Sequence, residues 1–196
     1  MRMIDLCLKR ILDFILTAVG TVLISPIMII IALLIKLSSK GPILFKQERL
    51  GYKGQVFEIF KFRTMVVNAE HIGSGIYINE KDDPRVTKIG RFLRATSLDE
   101  LPQVFNVLRG EMSLVGPRPP VVYHPYDGYN SYPDWAKKRF EMRPGMTGLV
   151  QITTRSDASW DDRIKIDCEY VEHFNLLLDC KILFKTISTV IKGEAI

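Results

Sequence analysis

The most prominent pattern in the chain is an uncharged apolar run near its N-terminus. Residues 14–35 form twenty-two positions without a charge, and a helix needs about 20 apolar residues to cross a bilayer. A cleavable signal peptide fits poorly, because the run is too long, Asp13 adjoins it and no small-residue cleavage motif follows. We therefore predict a membrane helix within residues 1–40 and a cytoplasmic, membrane-associated domain over 41–196.

Ser25 and Pro26 lie in the middle of this run. A proline inside a helix removes one backbone hydrogen bond and clashes with the preceding turn, which predicts a kink or break. The Ser25 hydroxyl can bond to the freed carbonyls, even in lipid. The basic residues on the two flanks are Arg2, Lys9, Arg10, Lys36, Lys40, Lys46 and Arg49. Since cytoplasmic segments are enriched in such residues, both ends are expected on the cytoplasmic side.

A helix-break-helix hairpin that enters and leaves by the same leaflet satisfies both observations. A kinked helix that spans the membrane once is the alternative, because proline is common in spanning helices. The sequence pattern alone does not choose between these two topologies.

Beyond residue 40 the pattern changes to short apolar runs and helical periodicities. Residues 43–45 and 56–60 are β-prone, and the glycines between them favour a hairpin. If the second strand continues, Lys61 and Arg63 lie on the same side of it, because strand side chains alternate. The segment 73–84 is predicted to be a loop. The fold class expected from this pattern is α+β, mainly helical.

Helical periodicity resumes at about Thr87. Ser97 and Glu100 then match an S-x-x-E capping box, which predicts the start of a second helix. Pro102 is compatible with the first turn only, so the cap could also lie one residue later. Gly110 is the expected end of this helix.

Two further helices are predicted at the C-terminal end, over 160–174 and 176–191. The second is apolar but contains Asp179, Lys181 and Lys185, which disfavours another membrane crossing. It could be an amphipathic helix at the membrane interface, with its lysines facing anionic phospholipid. It could equally be a buried core helix, and the pattern leaves both open.

Composition narrows the class of protein only slightly. The chain has 27 Lys and Arg against 22 Asp and Glu, a net charge of +5, which suits nucleic acid, phosphorylated substrates or anionic lipid alike. Cys7, Cys168 and Cys180 are too few and too scattered for a disulfide framework or a zinc site. Unpaired cysteines fit a reducing compartment.

Asp99 and Glu100 are the strongest candidate catalytic pair. Two carboxylates in the first turn of a helix feel the positive end of its dipole, which favours their ionised forms. An ionised aspartate can attack phosphorus to form an acyl phosphate. Both carboxylates could also bind Mg²⁺, with substrate phosphates as further ligands. Taken alone, however, such a sequence is more often a helix cap and nothing else.

Basic residues near the carboxylate pair, or in motif loops, are candidates for binding phosphate. Arginine pairs with two phosphate oxygens at once and stabilises charge during phosphoryl transfer. The candidates are Lys61, Arg63, Arg85, Arg94, Arg118 and Arg155. Arg118 is the strongest, because it lies between prolines in a rigid loop, and Arg94, five residues before Asp99, is next.

These residues belong to segments that closely resemble the bacterial sugar transferases. That family comprises monotopic polyprenyl-phosphate phosphoglycosyl transferases, which initiate glycan assembly. The matching segments are 60–65, 83–94, 97–103, 105–110, 113–119 and 143–148, together with the Ser25-Pro26 pair. The resemblance covers nearly the whole chain, which looks like the small, minimal catalytic form because it lacks the additional N-terminal spans of larger members.

The resemblance implies a two-step reaction. Asp99 would attack the β-phosphate of a UDP-sugar, expel UMP and hold the phosphosugar covalently, and polyprenyl phosphate would then accept it. Glu100 would assist with Mg²⁺ and positioning. Lys61, Arg94 and Arg118 match basic positions near the phosphates. The resemblance also implies a re-entrant hairpin and an active site at the cytoplasmic face of the bacterial inner membrane.

Two other classes of protein account for parts of the pattern. A membrane-anchored nucleic-acid-binding protein would use the positive charge, but we recognise no reading motif and expect no nucleic acid partner. A noncatalytic membrane scaffold would use Asp99 and Glu100 only as a cap. Neither class explains a carboxylate pair in a basic setting. The sequence does not tell which sugar is moved, and it leaves a homodimer open.

Overall fold

The N-terminal apolar run forms one long helix, α1, over Met3–Ser38. The structure is a computed structural model that describes residues 3–69, 83–154 and 158–192. Among these residues, α1 is the one helix long and apolar enough to cross a membrane, with a mean hydropathy of 2.7 in a window that is 17% buried. Val22 and Leu23, near its middle, are 73% and 72% exposed.

The chain remains helical through Ser25 and Pro26, where the sequence predicts a kink or break. Pro26 has no N–H to donate to the carbonyl of Val22, four residues earlier. The Ser25 hydroxyl donates to that carbonyl instead, at 2.8 Å. The predicted role of Ser25 is thus confirmed. Of the predicted kink or break, the break is wrong, because the helix is continuous at this point, and the kink stays a prediction.

Both ends of α1 pack against the rest of the protein. Near the N-terminal end, Lys9 pairs with Asp179 at 2.5 Å, and the Ser113 hydroxyl donates to Asp13 at 2.6 Å, all four residues being buried. The C-terminal end belongs to an apolar core cluster. The buried members of this cluster are Met28, Ile31, Ile35, Phe62, Leu93 and Val104.

The predicted hairpin is confirmed. Strand β1, Leu44–Leu50, pairs antiparallel with β2, Val56–Phe62, and the connection contains a 3₁₀ helix over Tyr52–Gly54. Asn106 is fully buried and fastens the hairpin to the helices below it. Its side chain accepts from the Phe60 N–H and donates to the Glu58 carbonyl.

A loop is predicted over 73–84, but only residues 83–84 of it lie among the described residues. Three helical segments follow. Helix α2, Lys88–Ala95, is capped by the Thr87 hydroxyl. A 3₁₀ helix, Leu98–Gln103, leads directly into α3, Val104–Arg109. Gly110 ends α3 in the left-handed conformation with φ of 87°, as the sequence predicts.

A short parallel pair of strands brings two glycine motifs together. Strand β3, Ser113–Val115, pairs with β4, Gly145–Thr147. A Cβ on Gly116 would lie 2.4 Å from the Arg143 carbonyl oxygen, and one on Gly145 would lie 2.1 Å from the Gly116 nitrogen. Glycine is therefore required at both positions, because the two backbones touch.

The C-terminal half is helical, and both predicted helices are confirmed. The remaining α-helices are α4, Asp134–Lys137; α5, Leu149–Thr153; α6, Trp160–Glu172; and α7, Leu176–Lys192. Short 3₁₀ helices occupy Tyr129–Ser131 and Lys138–Glu141. With two small sheets among these helices, the expected α+β, mainly helical class is confirmed.

Helix α7 has features of both alternatives left open by its sequence. Asp179 and Ile182 are buried on the side that packs against the core. On another side, Leu177 and Phe184 are 75% and 73% exposed, which an amphipathic interfacial helix would place in lipid.

Candidate active site

A cavity of about 860 Å³ brings the carboxylate pair together with most of the predicted basic residues. Its walls come from the hairpin, α2, the 3₁₀ helix Leu98–Gln103, the loop after β3, and α7. The charged residues that line it are Arg49, Lys61, Arg63, Arg94, Asp99, Glu100 and Arg118. The volume lies within the range of about 300–1,000 Å³ that is typical of ligand pockets.

The carboxylate pair lies at the start of the 3₁₀ helix, after a sharp reversal of the chain at Ser97. Ser97 has a left-handed φ of 55° and its side chain makes no capping hydrogen bond. The predicted capping box is therefore wrong. The Ser97 N–H instead donates to the Arg94 carbonyl, so this residue ends α2. The reversal directs Asp99 and Glu100 to the cavity.

Glu100 is held by two basic residues. Its Oε1 lies 2.6 Å from Lys61 Nζ and 3.7 Å from Arg118 Nη2. Burial by itself would raise the pKa of Glu100, but Lys61 and Arg118 outweigh it, and the pKa lies below its usual value. Glu100 is therefore ionised at neutral pH and fixes the positions of both cations.

Asp99 differs from its neighbour because its carboxylate is not held. In the part of the chain that the structure describes, no other residue hydrogen-bonds or ion-pairs with it. Burial raises the pKa of Asp99, Lys61 and Arg94 oppose the rise, and Glu100 adds to it. This upward shift of the pKa is opposite to the downward shift expected from the dipole at the start of a helix, because burial dominates. The result is a free carboxylate between two basic groups.

Arg94 lines the cavity, whereas Arg85 lies behind it. Arg94 Nε donates to the Thr64 hydroxyl at 2.8 Å. Arg85 is buried and holds Asp83 through Nε and Nη2, at 2.9 and 2.6 Å, and hydrogen bonding to Arg85 lowers the pKa of Asp83 to about 2. This ion pair assigns Arg85 a structural role, although the sequence presents it as a candidate for binding phosphate.

Of the two remaining predicted basic residues, the structure describes Arg63 but not Arg155. Arg63 is buried in the cavity wall, and its Nη2 donates to both the carbonyl and the hydroxyl of Ser39. It thus links the end of β2 to the end of α1, where a cation is favourable for the helix dipole. Arg155 lies outside the described residues.

A buried ion pair supports the loop that positions Arg118. Arg139 Nη2 donates to the Arg118 carbonyl at 2.7 Å and pairs with Asp167 of α6. Burial raises the pKa of Asp167 to about 6, against the opposing effect of Arg139. Neither residue was identified from the sequence, because they are 28 positions apart and lie outside the motifs.

Arg49 is a further cavity residue that the sequence indicates only as a flanking positive charge. It donates to the Pro119 carbonyl at 3.0 Å and to Gln47 Oε1 at 2.6 Å. Burial and the neighbouring Arg118 lower its pKa to about 10. The pairing register of the hairpin could have revealed Arg49 as a cavity residue. Phe45 pairs with Lys61, and strand alternation places Arg49 on the same face as Phe45.

A magnesium ion at this site would take its protein ligands from the carboxylate pair and its other ligands from substrate. Mg²⁺ is commonly held by one or two carboxylates, with substrate phosphates and water as its other ligands. Within the described ranges, no group of three or more His, Cys, Asp or Glu side chains could hold a metal ion. Asp99 and Glu100 offer hard oxygen ligands of the kind that Mg²⁺ prefers, so most other ligands would come from the substrate.

A model of the bacterial sugar transferase family matches residues 4–193. The chain belongs to this family, as its motifs predict. It is 43% identical to the UDP-glucose:undecaprenyl-phosphate glucose-1-phosphate transferase of Caulobacter vibrioides, over 95% of this chain and 70% of that protein. It is 39% identical to the exopolysaccharide production protein ExoY of Sinorhizobium fredii, over 93% of this chain and 84% of the relative.

Other relatives are much longer than this chain. It is 39% identical to the undecaprenyl-phosphate galactose phosphotransferase of Salmonella typhimurium over 95% of its own length, but it spans only 41% of that protein. The family relationship therefore concerns only a part of these longer proteins. The names of the relatives include both glucose and galactose, so they do not identify the sugar for this chain.

Proposed function

We propose that this protein transfers a sugar phosphate from a UDP-sugar to polyprenyl phosphate. The products would be UMP and a polyprenyl diphosphate sugar, the first lipid-linked intermediate of a glycan. The names of the relatives, which refer to undecaprenyl phosphate and to sugar phosphate transfer, support this activity. The observation that carries the proposal is the free Asp99 carboxylate in a basic cavity, next to a Glu100 that is held by Lys61 and Arg118.

In the first step, a carboxylate oxygen of Asp99 attacks the β-phosphorus of the UDP-sugar. The bond between that phosphorus and the bridging oxygen breaks, and UMP leaves with the electron pair. The phosphosugar is then bound to Asp99 as an acyl phosphate. Lys61 and Arg94 stabilise the negative charge on the transferred phosphoryl group, because both act on Asp99 from close range.

In the second step, a phosphate oxygen of the polyprenyl phosphate attacks the same phosphorus. The bond to Asp99 breaks, and the carboxylate returns to its starting form with no net proton transfer. Arg118, held by Glu100 and by the Arg139–Asp167 pair, is positioned for the phosphate oxygens. Asp99 and Glu100 would hold Mg²⁺, which would neutralise phosphate charge when bound.

The proposed location is the cytoplasmic face of the bacterial inner membrane, with α1 as a re-entrant hairpin. Arg10 Nη2 donates to the Val107 carbonyl of α3 at 2.8 Å, while Ile31 belongs to the same core cluster as Val104 of α3. In a straight helix, Arg10 and Ile31 would be about 31 Å apart, whereas Val104 and Val107 lie about one turn apart. A bend in α1 would reconcile these contacts and would return both ends to one side, which supports the proposed hairpin.

The catalytic role of Asp99 is tested by replacing it. In Asp99→Asn, UMP release from UDP-sugars in the presence of Mg²⁺ and polyprenyl phosphate should fall to background, because an amide is a poor nucleophile. Circular dichroism and thermal unfolding would verify an intact fold. Full turnover of the variant would contradict the role of Asp99, and trapping of a phosphosugar on residue 99 without acceptor would support it directly.

The substrate is tested by a panel of UDP-sugars with the wild-type protein. Release of UMP from one of them supports the proposed transferase and identifies the sugar. If no UDP-sugar releases UMP when Mg²⁺ and polyprenyl phosphate are present, the transferase proposal fails for this chain, and a noncatalytic membrane scaffold becomes the better explanation.

A further inference from the structure

The cavity has a second end that differs in chemistry from the one around Asp99. Besides charged and uncharged polar residues, its lining includes apolar residues of the segment after β2 and of α7. The apolar lining residues from these two regions are Met65, Val66, Val67, Leu183, Ile187 and Val190. One continuous cavity thus has a basic end and a hydrocarbon-like end.

The α7 residues form a stripe on one face of the helix, which we name the apolar stripe: Leu183, Ile187 and Val190. Positions separated by three, four and seven residues lie on the same face of an α-helix. Leu183 also packs against the core cluster that contains Ile182, whereas Ile187 and Val190 are not part of that cluster. Ile187 and Val190 remain 54% and 41% exposed in the cavity wall, so the fold itself does not bury them.

The stripe is held in place relative to the glycine motifs. The Thr186 hydroxyl, on the same face of α7, lies 2.7 Å from the Thr147 hydroxyl of β4. Strand β4 in turn pairs with β3, directly before the loop of Arg118. The distance between the basic end and the apolar stripe is therefore set by hydrogen-bonded elements and does not depend on a free loop.

A ligand that fills this cavity must be anionic at one end and a hydrocarbon at the other. A UDP-sugar is polar along most of its length and offers little surface that could cover Ile187 and Val190. We propose that the hydrocarbon chain of the acceptor lies along the apolar stripe of α7, with its phosphate at the basic end. This inference depends on the proposed function, because it takes the acceptor to be a polyprenyl phosphate.

The proposal predicts an effect that depends on acceptor chain length. In Ile187→Asp, the KM for undecaprenyl phosphate in detergent should rise about tenfold, because a charged group replaces an apolar contact along the chain. The KM for geranyl phosphate, which has a much shorter chain, should change by less than about twofold. Circular dichroism and thermal unfolding of the variant serve as the test of folding.

Phe184→Asp is the matched control. Phe184 is also an exposed apolar residue of α7, at 73% exposure, but it does not line the cavity. The Phe184→Asp substitution should leave the ratio of the KM for undecaprenyl phosphate to the KM for geranyl phosphate unchanged. If Phe184→Asp and Ile187→Asp change this ratio equally, or if Ile187→Asp weakens both acceptors equally, the stripe does not bind the chain.

Photocrosslinking of the wild-type protein gives an answer that requires no variant. A polyprenyl phosphate with a diazirine in its chain should label the peptide that contains residues 183–190. Labelling confined to the exposed apolar residues of α1 would overturn the proposal. If wild-type protein releases no UMP from any UDP-sugar, the proposed function fails instead, so the two failures are distinguishable.

Discussion

Asp99 and Glu100 are neighbours in the chain, but their surroundings separate their roles. Glu100 meets Lys61 at 2.6 Å and Arg118 at 3.7 Å, and its pKa lies below the usual value in spite of burial. Asp99 has no such direct partner among the described residues, and burial leaves its pKa above the usual value. One carboxylate organises the cations, and the other is available to react.

Lys61 should control the pH dependence of the first step. The proposed reaction needs ionised Asp99, and Lys61 lowers the pKa of both carboxylates. In Lys61→Met these pKa values rise, so the acid limb of the UMP burst should move to higher pH by about one unit. The burst rate would be measured between pH 4 and 8 without acceptor.

Lys46→Met is the control for this prediction. Lys46 lies on the same hairpin and also pairs with a glutamate, Glu58, at 2.8 Å, but both side chains are more than half exposed. Its removal should leave the pH profile in place. An unchanged acid limb in Lys61→Met would mean that Lys61 does not act on the reacting carboxylate.

Sequence reasoning finds site residues where they lie in contiguous motifs. Asp99, Glu100 and Arg118 were identified in this way. The left-handed conformation of Ser97 could not be identified from the sequence. S-x-x-E is a local pattern, whereas this reversal of the chain follows from how α2 ends. Arg49 was missed as a site residue because its position depends on the pairing of β1 with β2.

At the scale of the elements, the sequence predicts those that have their own periodicity. The hairpin, α2, α6 and α7 follow from local patterns of apolar residues. The pairing of β3 with β4 does not follow from a local pattern, because it joins Ser113 to Gly145, which is distant in the sequence. Strands of three residues are too short to show an alternating pattern, and only the contact between the Gly116 and Gly145 backbones explains their glycines.

The Arg139–Asp167 pair should affect stability and activity separately. Arg139→Met leaves Asp167 buried without its partner, which should reduce the free energy of unfolding by about 3–5 kcal/mol. In Arg139→Met/Asp167→Leu the unpaired charge is removed, so stability should recover. The UMP burst should stay slow in both variants, because the Arg118 carbonyl has lost its donor. Thermal unfolding and burst kinetics measure the two effects.

Lys138→Met is the comparison for the single variant. Lys138 is adjacent to Arg139. It pairs with Glu172, which lies on α6 as Asp167 does, but the Lys138–Glu172 pair is exposed. Its loss should change the free energy of unfolding by less than about 1 kcal/mol. If the double variant regains full burst activity together with stability, the pair has no role in positioning Arg118.

At the scale of the whole molecule, cysteine labelling tests the proposed re-entrant topology of α1. In a background with Cys7, Cys168 and Cys180 replaced by serine, single cysteines at residues 3 and 40 should both react with an impermeant reagent from the cytoplasmic side. The expected result follows from the contacts that both ends of α1 make with the same set of elements.

The control for topology is a cysteine at position 138, outside α1, where the Lys138 side chain is exposed. It should react from the same side as residues 3 and 40. Reaction of residues 3 and 40 from opposite sides would rule out the re-entrant hairpin and establish a single crossing. The sequence predicted the apolar helix, but the contacts that favour a bend join residues about 100 positions apart and are not visible in its pattern.

The buried pair between Lys9 and Asp179 has a consequence for biosynthesis. The two residues are 170 positions apart, so this end of α1 is translated well before its partner. Until α7 leaves the ribosome, Lys9 has no Asp179 to neutralise it in its buried position. The N-terminal end of α1 is therefore translated long before it can make this contact, and a nascent chain that stops before α7 leaves Lys9 without it.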